Sequence, residues 1–213
     1  MNLFRLLYLI VFTMSFATGI YVYKYNKALY ILVGLMGLGL LTEYIAEINT
    51  YIEITNEAFI YNLYIPLEYL FYTAFFYFIN TNVIIKKVIL ISIPLFIISI
   101  LLFSEFKAVS VVELATDIYT FSGILTMTWS IWTLFVTQPI KGLKSIKHPL
   151  IWICAGLIIF YSGITPFNLG HNILKEINPE IFSLLSGYIS KGFNIFLYIS
   201  FSIGFICSHR MKT

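Results

Sequence analysis

The chain has 213 residues, 60% of them hydrophobic, 18% aromatic and only 11% charged, with a formal net charge of +3 and a mean hydropathy of +0.90. Soluble domains carry about 25% charged residues, so a water-facing surface is excluded, and the small basic excess is not a nucleic-acid footprint. Runs of about 20 apolar residues point to transmembrane helices, whereas a membrane barrel would show alternating segments of about 10.

The first apolar run covers residues 3–23 and begins with Arg5 and then LLYLIVFTMSFA. It has the form of a signal peptide with a cleavage site near Ala17, a reading that the charge pattern below opposes. Residues 28–46 form a second run, with Gly34, Gly37 and Gly39. Small residues let helices approach closely in lipid, and no strand precedes them to make a phosphate-binding loop. An acidic linker, residues 47–57, leads to a third run, 58–79, and then 83–103 follows with Lys86 and Lys87 at its start. The fifth run is 115–136. The sixth, 149–169, has Pro149 as its first helical residue, with Pro166 expected to break it. The seventh is 181–207, entered through Asn178, Pro179 and Glu180. A single all-α domain, a seven-helix transmembrane bundle over residues 1–213, is expected. Cys154 and Cys207 fall inside apolar runs, so no disulfide framework is expected.

Lys and Arg collect in cytoplasmic segments. With seven crossings, Lys24, Lys27, Lys86, Lys87, Lys141, Lys144, Lys147, Arg210 and Lys212 all fall on one side, nine of the 13 basic residues, and no acidic residue joins them. The amino terminus is therefore expected outside and the carboxyl terminus in the cytoplasm, in a cytoplasmic membrane. Cleavage near Ala17 would invert every later loop, so the first run is kept as a helix.

Two charges fall deep within apolar runs. Glu68 lies 10 residues into the third run, roughly 15 Å deep at about 1.5 Å per residue. Lys191 lies 10 residues into the seventh. An acid or amine at the centre of a spanning helix costs about 2.5–3.5 kcal/mol, so each should face the bundle interior and find a partner. Tyr61, Tyr64, Tyr72 and Phe75 share the helix stripe of Glu68. Pro66 removes a donor and leaves the Asn62 carbonyl without its usual partner. Ser183, Gly187, Ser190 and Asn194 form a small, polar stripe beside Lys191. Pairing of Glu68 with Lys191 has two readings, a pin that fixes helix register and a binding or translocation site. Outward snorkelling of Lys191 is a third. Glu43 and Glu47, Glu113 and Asp117, and Asn168, His171 and Asn172 cluster toward the outer face. They make either a vestibule or ordinary polar helix ends.

A seven-helix chain with a lysine midway in the last helix and a carboxylate midway in the third resembles the retinal-binding microbial rhodopsins. The resemblance implies retinal held by Lys191 as a Schiff base, with Glu68 as counterion. The chain departs from that family at Gly187, where its pumps carry an Asp four residues before the lysine, and in NLYIPLEYLFYT, which is unlike their third helix. Ceramidase-type zinc hydrolases need several histidines within the spans, and His148, His171 and His209 all lie at span ends. A Ser–His triad fails for the same reason. Small sugar transporters carry a Pro-Gln motif, but here the order is Gln138-Pro139, without a repeat.

The expectation is a non-enzymatic membrane protein. It binds or senses a small, largely apolar molecule through Glu68, Lys191, Tyr64, Tyr72, Asn62, Asn194, Ser190, Glu43 and Asp117. The alternative is a small-molecule or proton-coupled transporter. The partners expected are the lipid bilayer and, for a sensor, a separate cytoplasmic signalling protein. No metal is expected.

Overall fold

The computed structural model describes residues 3–22, 27–51, 57–107, 116–136, 147–170, 174 and 176–211. Among these residues the fold is all-α, with seven long helices: α1 (Leu3–Val22), α2 (Lys27–Tyr51), α3 (Glu57–Ile79), α4 (Val83–Lys107), α5 (Thr116–Val136), α6 (Pro149–Leu169) and α7 (Pro179–Arg210). Five of them, α1, α2, α4, α6 and α7, are long and apolar enough to cross a bilayer. The other two are diluted by polar groups. α3 carries Asn62, Pro66, Glu68 and its tyrosines, and α5 carries Thr120, Ser122, Thr126, Ser130 and Thr133, all buried. Glu68 on α3 and these five residues of α5 face the interior of the bundle. α3 still shows Leu63, Leu67 and Phe78 outward, and α4 shows Ile84, Ile91, Leu95 and Leu101. An apolar exterior of this extent is a lipid-facing surface, so the protein is a multi-pass membrane protein.

The helices close into a ring in which α1 packs on α2, α2 on α3, α3 on α5, α5 on α6, α6 on α7, and α7 back on α1. α4 sits outside, in the groove between α3 and α5. Neighbours mostly run antiparallel. The α1 end carrying Gly19 meets Val33 near the start of α2, and Gly204 near the end of α7 meets the Pro149 carbonyl at the start of α6. Parallel contacts occur where α3 meets α5 and where α1 meets α7. In the first, Asn80, which follows α3, donates to Thr133 near the end of α5 at 3.2 Å. In the second, Ser15 of α1 donates to the Tyr198 carbonyl of α7 at 2.8 Å.

Close helix approach rests on small residues between α6 and α7. A Cβ on Gly156 would lie 2.7 Å from Cβ of Ser200. The glycines of α2 do something else. Gly34, Gly37 and Gly39 make room for the rings of Phe71, Phe16 and Phe12 rather than for a helix backbone. Outside α3, the Tyr69 hydroxyl donates to Ser92 of α4 at 2.6 Å, which fixes the peripheral helix to the ring.

Several boundaries differ from those expected. α2 continues to Tyr51, so Glu47 is helical and not in a linker; α4 continues to Lys107; and α7 runs from Pro179 to Arg210. The apolar run marks the thickness of lipid, while a helix keeps its own hydrogen bonds into the headgroup zone. Pro166 does not break α6. The helix continues to Leu169, and the Gly170 N–H caps it by donating to the Pro166 carbonyl at 3.1 Å.

Candidate functional site

The interior of the ring holds a cavity of about 460 Å³, within the range of about 300–1,000 Å³ usual for ligand pockets. α1 supplies Arg5, Tyr8 and Phe12, one helix stripe at spacings of three and four. α2 adds Gly39, Thr42 and Glu43. α3 adds Tyr61, Tyr64, Ile65 and Glu68, and α5 adds Tyr119. The wall from α7 is Ser186, Gly187, Ser190, Lys191, Asn194 and Tyr198. α4 and α6 do not line it.

The cavity has two chemically different ends. Near the amino-terminal end of α1, Arg5 forms an ion pair with Glu47. Beside them the Glu43 carboxylate accepts from the Tyr61 hydroxyl at 3.4 Å and from Tyr8, and it lies within the field of Lys191 and Arg5. Two acids and two bases thus gather at that end, with Arg5 and Glu47 paired. At the inner end stands Glu68, only 7% exposed. Among the described residues it makes no hydrogen bond and no ion pair. Its field reaches the phenols of Tyr64, Tyr72, Tyr119, Tyr161 and Tyr198, all of them neutral groups.

Aromatic packing builds that inner end. The rings of Phe12 and Tyr198 stack at 3.8 Å, 7° from parallel. Gly39 brings α2 close enough that a Cβ there would lie 3.1 Å from the Tyr64 hydroxyl and 3.0 Å from the Phe12 ring. Tyr161 packs edge-on to Tyr72 at 6.3 Å and fills the space behind Glu68. By contrast, a Cβ on Gly187 would meet nothing within 4 Å, so that wall opens directly onto the void.

Comparisons with family models, curated proteins and solved structures each gave no match. The chemistry of the cavity is therefore what bears on function.

Of the residues singled out from sequence, Glu68, Lys191, Tyr64, Asn194, Ser190 and Glu43 line the one cavity. Tyr72 lies behind it, buried, and Asn62 and Asp117 are half-buried outside its wall. Glu68 and Lys191 share the cavity but do not form an ion pair, and the acid whose field reaches Lys191 is Glu43. Glu113, His171 and Asn172 of the expected outer vestibule lie outside the described residues, as does the side chain of Ser183. Arg5, Tyr8, Phe12, Tyr119 and Tyr198 were not expected at the site. For two of the helices a signal existed. Tyr198 continues the Lys191–Asn194 stripe by four residues, and Tyr8 and Phe12 continue that of Arg5.

Proposed function

We propose that this is a seven-crossing membrane protein, amino terminus outside, that binds or senses a small, largely apolar molecule in the cavity inside its ring. One observation carries the reading. Glu68 is buried at the inner end of a ligand-sized void and has no partner among the described residues. A structural pin would be paired, because a buried polar group left unsatisfied is destabilising. A group held in that state is the mark of a site completed by something from outside. The distribution of Lys and Arg supports the orientation.

A second reading, a proton-coupled or small-molecule transporter, draws on Glu43 and Glu68 at two depths of one cavity, a ladder along which a proton or cation moves. The retinal reading loses support, since a Schiff-base counterion has to stand beside the lysine nitrogen and Glu68 does not pair with Lys191.

Mass spectrometry and an absorption spectrum of gently purified protein test the reading. A copurifying molecule that Gly187→Phe excludes is expected. A visible band lost on Lys191→Ala would restore retinal, and flux dependent on pH or potential without stable occupancy would favour the transporter.

A further inference from the structure

The charges along the cavity are unevenly settled. Arg5 is tied to Glu47, and Lys191 stands in the field of Glu43, which also receives the hydroxyls of Tyr8 and Tyr61. That leaves one formal charge in the cavity without an opposite, the carboxylate of Glu68. Around it the wall is aromatic: Phe12, Tyr64, Tyr119 and Tyr198. Ring faces attract cations, most strongly where water is excluded. A buried acid beside electron-rich rings is the complement of a soft, weakly hydrated organic cation.

We propose that the inner end of the cavity holds the positively charged nitrogen of an organic amine, with Glu68 as its counter-ion and the rings of Phe12, Tyr64, Tyr119 and Tyr198 around it. The proposal rests on the reading of the cavity as a ligand site and adds the charge of the ligand to it. An anion is disfavoured at this end, because Arg5 is tied to Glu47, the field of Lys191 falls on Glu43, and Glu68 would repel it. A neutral apolar ligand would offer Glu68 no opposite charge. A permanent cation satisfies Glu68 and keeps its apolar substituents against the rings. The rest of such a ligand would extend toward Ser190 and Asn194, whose hydroxyl and amide groups line the same cavity.

Phenyltrimethylammonium and its neutral isostere tert-butylbenzene differ in charge and hardly in shape, and benzoate supplies the opposite charge. Binding of radiolabelled phenyltrimethylammonium to the full chain in lipid nanodiscs, with the other two as competitors, separates the cases. Saturable binding is expected, with both competitors weaker by about tenfold or more, the scale of one desolvated ion or cation–π contact. Glu68→Gln should weaken the cation by a similar factor and leave tert-butylbenzene unchanged. Gly187→Phe should abolish binding of both, and Gly187→Leu serves if the larger ring prevents folding.

If the isostere or benzoate competes as well as the unlabelled cation, or if Glu68→Gln leaves cation affinity intact, the inference about charge is overturned. The ligand site itself still stands provided the Gly187 variants remove binding. If no probe binds saturably, or binding survives both Gly187 variants, the ligand site and the inference fall together.

Discussion

Replacing Glu68 by glutamine separates a site from a scaffold by the sign of one number. Glutamine keeps the shape of the side chain and removes its charge. Were Glu68 half of a structural ion pair, its loss would leave a buried charge uncompensated and cost about 3–5 kcal/mol. In this structure it has no such partner among the described residues, and it is 7% exposed. Placing a charged residue at the middle of a spanning helix costs about 2.5–3.5 kcal/mol. Glutamine remains polar and recovers roughly half of that, about 1.5 kcal/mol. For a chain of this size 1 kcal/mol moves the midpoint by about 2–4 °C. The ligand-free Glu68→Gln protein should therefore melt about 3–6 °C above the wild type. Thermal unfolding of both proteins in one detergent, followed by tryptophan fluorescence, gives the difference directly. A midpoint lowered by several degrees would refute the reasoning and return Glu68 to the role of a register pin.

Other consequences can be checked in the same assay. Gly187→Ala fills open space on a helix, and should stabilise by about 1 kcal/mol through helix propensity alone. Gly156→Val drives its side chain into Ser200, and a loss of about 1–3 kcal/mol is expected, read as a lower midpoint. Tyr69→Phe deletes the bond to Ser92 between α3 and α4, at a cost of about 0.6 kcal/mol, the mean for interhelical hydrogen bonds in membranes. His148 caps α6 through Nδ1, which accepts from the Leu150 N–H at 3.3 Å, and burial holds its pKa below the ordinary value. A depressed histidine stabilises the fold fully above about pH 6.5, the unfolded value, and loses that contribution as pH falls through the folded one. His148→Asn keeps a capping acceptor without titrating, so its midpoint should vary less between pH 8 and pH 5 than that of the wild type.

Much of the architecture was legible in the chain because lipid imposes a length and a polarity on every helix. α6 was expected over 149–169 and spans Pro149–Leu169, since Pro149 starts it and Gly170 ends it. α2, α4 and α7 run past their apolar runs, because hydropathy reports where lipid stops and not where the backbone stops coiling. The inward faces of α3 and α7 could be read from the stripes around Glu68 and Lys191, and both side chains reach one cavity. What could not be read was which acid faces the amine. That depends on how α2, α3 and α7 stand around the shared cavity, a tertiary arrangement that no spacing within a single helix encodes. The part played by α1 was hidden for a related reason. Its Arg5, Tyr8 and Phe12 look like the start of a leader sequence until a ring of helices gives them something to face.

The ring closes only where α7 packs against α1, and α7 is the last of these helices to leave the ribosome. Glu68 is synthesised well over a hundred residues before Lys191, Asn194 and Tyr198. During that interval the acid lacks the wall that α7 supplies. The pocket is thus complete only once the α7 wall, Ser186 to Tyr198, has been made. A nascent chain stalled before residue 191 would hold most of the bundle's helices and lack the cavity wall that Lys191, Asn194 and Tyr198 supply.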